Sequence, residues 1–123
     1  MQWKPIIETY GAYSISSNGV ARSELRQGIN SNGKKFTVRQ KYLKPYIVSS
    51  NYYMVALRIN GQTVRRYIHR LVAIEHVLNP DPETYKYVDH INGKKRDNRA
   101  ENLRWCTQKQ NLKFARNGKA KKK

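Results

Sequence analysis

Tyr85-Lys86-Tyr87-Val88-Asp89-His90, Asn92-Gly93-Lys94-Lys95-Arg96-Asp97-Asn98-Arg99, Asn102-Leu103-Arg104-Trp105 and Thr107-Gln108-Lys109-Gln110 follow one another within a single stretch, and its reading decides the fold. The first segment has the content of a short strand, and the second is a long polar turn. The third, Asn102 to Trp105, is a second short strand. Thr107 with Gln110 three residues on fits a capping box, in which each side chain serves the other's backbone N–H. The helix so opened is expected to run to about Arg116 and to stop at Asn117-Gly118. Residues 85–117 therefore read strand, loop, strand, helix.

Upstream, Tyr53, Val55, Leu57 and Ile59 alternate with Met54, Ala56 and Arg58. Asn60-Gly61 follows, the favoured dipeptide of a two-residue hairpin turn, and Thr63 to Ile68 returns as a strand. A helix is expected from about His69 through Leu78, with Leu71, Ile74 and Leu78 on one face. Asn79-Pro80-Asp81-Pro82 ends it, because proline cannot continue the hydrogen-bond ladder. In the first third, Tyr13 and Ile15 share one face of a strand, Ser17-Asn18-Gly19 is a tight turn, and Val20-Ala21-Arg22 leads away from it. Residues 23–35 look like a loop, and Phe36 to Leu43 like a basic strand. No internal repeat is visible. The reading is of class α+β, with residues 1–50 a small antiparallel β-rich module, residues 51–117 the main domain, and residues 118–123 a basic tail expected to be disordered.

Composition narrows the partners. The 123 residues carry 25 Lys and Arg against 8 Asp and Glu, a net charge of +17, with a pI near 10.3. Such a balance points to a polyanion, most often nucleic acid. Cys106 is the one cysteine, which excludes an internal disulfide and a Cys-ligated zinc site. No apolar run is long enough to span a membrane, and the start Met1-Gln2-Trp3-Lys4-Pro5 lacks the apolar core of a signal peptide. A soluble, cytoplasmic protein with no membrane partner is expected. Nine tyrosines argue against a purely disordered basic chain.

Asp89-His90 is the first place to look for chemistry. A carboxylate can hold a divalent cation while the adjacent imidazole takes a proton from water near neutral pH. Taken alone, such a pair is usually no more than a polar hairpin end. Its setting changes that: residues 94–123 hold 12 Lys and Arg and only two acids, Asp97 and Glu101. An acid beside a phosphate-binding surface is either salt-bridged or a metal ligand. The oxygen donors nearby (Asp89, Asn98, Asn102, Asn111) suit Mg²⁺ or Mn²⁺ and not zinc. His69 and His76 are expected to be packed histidines, Cys106 a buried thiol, and Trp3 and Trp105 core anchors.

Several segments in order resemble the HNH endonucleases of the phage and intron-borne nicking and homing type. They are Ile68-His69-Arg70-Leu71-Val72-Ala73, Val88-Asp89-His90-Ile91-Asn92-Gly93-Lys94, Asp97-Asn98, Glu101 to Thr107, and Gln110-Asn111. Trp3-Lys4, Tyr13 to Ser16, Asn18-Gly19 and Arg22-Ser23 resemble the small module that often precedes this nuclease. The resemblance implies a ββα-metal (His-Me finger) core at residues 85–117. It makes His90 the general base and Asn102 the residue that holds the loop between the strands. It makes Asp89 and Asn111 ligands of Mg²⁺ or Mn²⁺; Asn111 stands where the family's last histidine falls, so metal affinity without DNA is expected to be low. The partner would be DNA, met through Lys34, Lys35, Arg39, Lys41, Arg65, Arg66, Lys94, Lys95, Arg96 and Arg104. Related enzymes with long sites carry a further C-terminal helix-turn-helix module, and none follows residue 123, so short-site specificity is expected. One active site per chain favours a monomer that nicks. The competing readings are a non-catalytic DNA-binding or RNA-binding protein that keeps the HNH fold for its basic surface, and a basic RNA binder that stacks bases on its tyrosines.

Overall fold

The computed structural model describes residues 1–113. The first third forms β1 (Trp3–Pro5), β2 (Tyr13–Ser16), β3 (Ala21–Ser23), β4 (Arg26–Ile29), β5 (Lys35–Val38) and β6 (Lys41–Tyr42). β1, β2, β3 and β6 make one antiparallel sheet in that order, and β4 with β5 makes a separate ribbon.

Two expectations are corrected here. Residues 23–35 are not an open loop, because they contain β4, and residues 36–43 are not one strand. They split into β5 and β6, which belong to different sheets. The ribbon is mostly exposed, so it has no apolar alternation to read. Its tight turn is closed by Asn30, whose Oδ1 accepts from the N–H groups of Asn32 and Lys34. The break between β5 and β6 is held by Ser23, whose hydroxyl donates to the Arg39 carbonyl at 2.9 Å.

The middle follows its sequence closely. β7 (Tyr46–Ile47), β8 (Tyr53–Ile59) and β9 (Gln62–Tyr67) form a three-stranded antiparallel sheet. Ile59 pairs with Gln62, which leaves Asn60-Gly61 as the turn, both at positive φ (52° and 75°). Val55 and Leu57 point inward and are buried. α1 (Ile68–His76) follows β9 directly. Its buried face is Ile68, His69, Leu71, Val72 and Ala73. The expected face is therefore corrected: Ile74 and Leu78 are 55% and 88% exposed. The helix ends at His76, short of Leu78, and it packs against β1, β2, β8, β9, β10 (Tyr87–His90) and β11 (Leu103–Cys106), so its N-terminal half is enclosed. His76 bonds the Ile15 carbonyl through Nε2 at 2.8 Å and ties α1 to β2.

β10 and β11 pair antiparallel, with Asp89 opposite Arg104 and His90 opposite Leu103. A single 3-10 turn, Ala100–Asn102, precedes β11, so Asn102 lies just before the strand instead of opening it. The capping box is present: Gln110 N–H donates to Thr107 Oγ1 at 3.1 Å, and Thr107 N–H donates to Gln110 Oε1 at 3.0 Å. Residues 108–113 are helical. The expected run to Arg116, the Asn117-Gly118 stop and the 118–123 tail lie outside the described residues.

One core joins all three regions. Ile6, Tyr13, Ile15 and Ala21 pack with Val55, Leu57, Ile68, Leu71 and Val72, and with Val88 and Leu103. Each fully buried Leu, Ile or Val contributes about 1.5–3 kcal/mol, so residues 1–50 supply part of what stabilises β10 and β11. The tryptophans are not deep anchors; both are half-buried. Trp3 packs with Arg22, 3.8 Å from its ring, and stacks with Tyr42, and Trp105 donates Nε1–H to the Val77 carbonyl at 3.0 Å. A large ring with one N–H donor often sits where its edge can reach a partner. Among the described residues, no helix is long and apolar enough to cross a membrane.

Candidate active site

Asp89 and His90 end β10, and the alternation of a strand sends their side chains to opposite faces. His90 turns inward and is buried, with its Nε2 2.7 Å from Asn98 Oδ1. An amide oxygen only accepts, so this contact assigns the proton to Nε2 and leaves the lone pair on Nδ1. Burial pushes the His90 pKa below the ordinary imidazole value, against the opposing pull of the Asn98 hydrogen bond and the Asp89 charge. A neutral imidazole with a directed lone pair is equipped to accept a proton.

The loop between β10 and β11 is built on Asn102. Its Oδ1 accepts from Asn92 N–H at 3.0 Å, and its Nδ2 donates to Asn92 Oδ1 and to the Asp97 carbonyl, at 3.0 and 2.8 Å. Asn92 in turn donates to Asp97 Oδ2 at 2.9 Å. Arg99 bridges Asp97 and Glu101, and holds the Asp97 carboxyl well below the usual carboxylate range. The loop is also braced from outside. Ala100 N–H donates to the Ser17 carbonyl at 2.8 Å, and Gly19 lies so close to Asn98 that an added Cβ would meet the Asn98 Cβ at 2.9 Å. The turn between β2 and β3 thus packs against the residue that holds His90.

Asp89 is paired with its cross-strand neighbour. Arg104 Nε and Nη2 lie 3.0 and 2.9 Å from Asp89 Oδ2. All three acids of this region are therefore salt-bridged, which is one of the two arrangements expected for a carboxylate in a basic surface. Asn111 lies one turn into the final helix, its N–H bonded to the Thr107 carbonyl, and it is half-buried while the helical residues on either side are exposed. No group of three His, Cys, Asp or Glu side chains that could hold an ion occurs among the described residues. A carboxylate with an amide is an all-oxygen set, and it fits a hard cation that takes its remaining ligands from water and phosphate.

The basic residues divide into groups. Lys94, Lys95 and Arg96 are exposed at the tip of the β10–β11 loop and, with Gly93 and Asn51, line a hollow of about 400 Å³. Lys34, Lys35, Arg39 and Lys41 are exposed on or beside β5 and β6, strands that do not pair with β10 or β11. Arg65 is exposed, and Arg66 is engaged by Glu8 at 2.8 and 3.1 Å. Cys106 is buried, and burial pushes its thiol up to about 11, which removes it as a nucleophile. His69 is buried, as expected of a packed histidine, but it is packed against His90, with ring centroids 5.1 Å apart.

Residues 87–113 form a ββα unit with Asp-His ending its first strand and an asparagine pinning the loop, and a family model for HNH endonucleases matches residues 66–113. The chain belongs to the HNH endonuclease family. Two uncharacterized HNH endonucleases of Acanthamoeba polyphaga mimivirus are 42% identical over 85 residues and 38% identical over 114 residues. These alignments cover 68% and 92% of this chain, and 25% of each relative. The DNA endonuclease I-HmuI of Bacillus phage SP01 is 34% identical over 112 residues, 91% of this chain and 56% of that protein. The solved structure of this HNH homing endonuclease, described as DNA binding and cleavage by it, superposes with a TM-score of 0.72 at 31% identity, over 99% of this chain and 65% of that one. The chain thus spans between a quarter and two-thirds of the length of the HNH proteins it matches. Asn98, read from sequence as one of several oxygen donors near Asp89, is instead the partner of His90 Nε2. Its signal is a buried amide in an otherwise charged, exposed loop, which only the folded chain displays.

Proposed function

We propose that this chain is a metal-dependent DNA endonuclease of phage or mobile-element type, which hydrolyses one phosphodiester bond per visit and leaves 3′-hydroxyl and 5′-phosphate ends. The observation that carries the reading is the 2.7 Å contact from His90 to Asn98, which leaves Nδ1 as the accepting nitrogen of the ring. In this reading residues 51–117 are the nuclease domain, with the ββα-metal core at 85–117, and residues 1–50 are its associated module.

His90 Nδ1 takes a proton from the water that attacks the scissile phosphorus, and the bond to the 3′ oxygen breaks. Asn98 holds the ring and Asn102 holds the loop that carries Asn98. Asp89 and Asn111 hold Mg²⁺ or Mn²⁺, which when bound supplies positive charge to the phosphate and the leaving oxygen. Lys94, Lys95 and Arg96 seat the backbone near the cut. Lys34, Lys35, Arg39, Lys41, Arg65, Arg66 and Arg104 add phosphate contacts that position without reading sequence. One site per chain makes the enzyme a monomer that nicks.

Supercoiled plasmid incubated with the protein and Mg²⁺, Mn²⁺ or EDTA tests this directly. Open-circle product that needs metal and is lost in His90→Ala is expected. Linear product appearing at once would indicate a dimer. A folded, DNA-binding protein that yields no product with either metal on several DNAs would overturn the reading in favour of the non-catalytic binder.

A further inference from the structure

The hydrogen bond to Asn98 fixes where His90 Nε2 points. One such bond still leaves the ring free to tilt about the line through that contact, and a tilt of the plane swings Nδ1 away from its target. Something must fix the tilt, and the structure shows what packs there.

Tyr52 lies with its ring 5.8 Å from that of His90 and nearly parallel to it, at 25°. His69 closes the triangle, 4.8 Å from Tyr52 and 5.1 Å from His90. Tyr67 backs both, 5.8 Å from Tyr52 and 5.2 Å from His69. Lys95 also lies over the Tyr52 ring, with its Nζ 4.8 Å from the centroid and donating to the Ser50 carbonyl at 3.1 Å. The Tyr52 backbone is set by a tight turn, in which Asn51 at φ 71° donates to the Val48 carbonyl and Val48 donates back to Tyr52. Three separate pieces of chain, carrying Tyr52, His69 and Asn98, thus meet on one imidazole.

The chemistry of His69 says how it is used. Its Nδ1 is buried and makes no hydrogen bond. Burial first, and then the neighbouring His90 and Arg70, push its pKa down to about 3. It is therefore a neutral ring at any working pH, offering a face more than a nitrogen. Stacked and tilted ring contacts at these distances add to the area they bury and prefer defined angles.

We infer that Tyr52 and His69 are positioning residues of the nuclease site, forming a ring clamp that fixes the tilt of the His90 imidazole. The inference rests on the nuclease reading above for its meaning, while the clamp itself is open to measurement without DNA. Loss of the clamp leaves DNA binding intact and costs turnover, because a small misplacement of a reacting group lowers the chemical step by on the order of 10–100-fold.

The experiment uses the full chain with Tyr52→Leu, Tyr52→Phe, His69→Leu and His69→Phe. Single-turnover nicking and DNA binding in EDTA are measured for each, with imidazole ¹⁵N spectra of the metal-free protein. Tyr52→Leu and His69→Leu are expected to lower kcat with KM and DNA affinity unchanged, and to replace the single His90 tautomer by an exchanging mixture. Tyr52→Phe and His69→Phe are expected to restore both. Equal loss in Tyr52→Leu and Tyr52→Phe would overturn the clamp, because it would place the hydroxyl on the substrate. A change in KM alone would overturn it too, as would a His90 spectrum indifferent to all four variants. If wild-type protein does not nick, the nuclease reading fails, and the spectra still decide the clamp.

Discussion

The loop over residues 91–102 and the ribbon over residues 26–38 are both polar, both basic and of similar length, yet they are built in opposite ways. The loop spends its side chains on itself: Asn92, Asp97, Asn98, Arg99, Glu101 and Asn102 all bond within it or to His90. The ribbon is joined by one backbone ladder and a single Asn30 turn, while Lys34, Lys35 and Phe36 stand exposed. The difference teaches that charge alone does not mark a site. Chemistry needs a fixed geometry, and contacts with a long polyanion need only reach.

The sharpest test of this contrast is Asn98→Ala, expected to lower kcat on the order of 100-fold with little change in KM, since it frees the ring that receives the proton in the proposed mechanism. Single-turnover nicking at several DNA concentrations measures it, and a loss confined to KM would break the contrast. Asn102→Ala follows. It leaves Asn92 N–H and the Asp97 carbonyl without their partner, and should cost about 2–4 kcal/mol of stability, read by urea unfolding.

Acid is the next lever. The His69 pKa of about 3 lies below its unfolded value. Its contribution to stability is therefore full above the ordinary imidazole range and is lost as pH falls from there toward 3. The slope is about 1.4 kcal/mol per pH unit for this one group, because only the unfolded chain takes up the proton. Urea melts at pH 7, 5 and 4 should show the fall, and His69→Phe should flatten it.

The smallest effect is reserved for the ribbon. Lys34→Gln with Lys35→Gln should leave the melting temperature within a degree or so, as exposed changes normally do. DNA affinity should weaken, and the slope of log K against log salt should shrink by about 0.9 per contact removed. A ribbon variant that unfolds the protein would erase the distinction drawn here.

Sequence made the loop legible and the ribbon not. Asp89-His90, the Asn60-Gly61 turn and the Thr107–Gln110 cap each carry a local signal, a spacing or a dipeptide that physics restricts. The ribbon has no buried face and hence no period. The α1 face was misplaced onto Ile74 and Leu78, because 3.6-residue spacing cannot tell which side three sheets will enclose. Asn98, Tyr52 and His69 meet His90 only through tertiary packing, and no local spacing in the chain says that these three rest on that ring.

Ser17 and Gly19 lie in the β2–β3 turn of the first sheet but press on the loop that holds His90. A graft that carried residues 51–117 to a new targeting module would leave Asn98 without its neighbour and Ala100 N–H without its acceptor. The portable unit is thus larger than the motif: whoever wishes to transplant the nuclease must move the β2–β3 turn along with it.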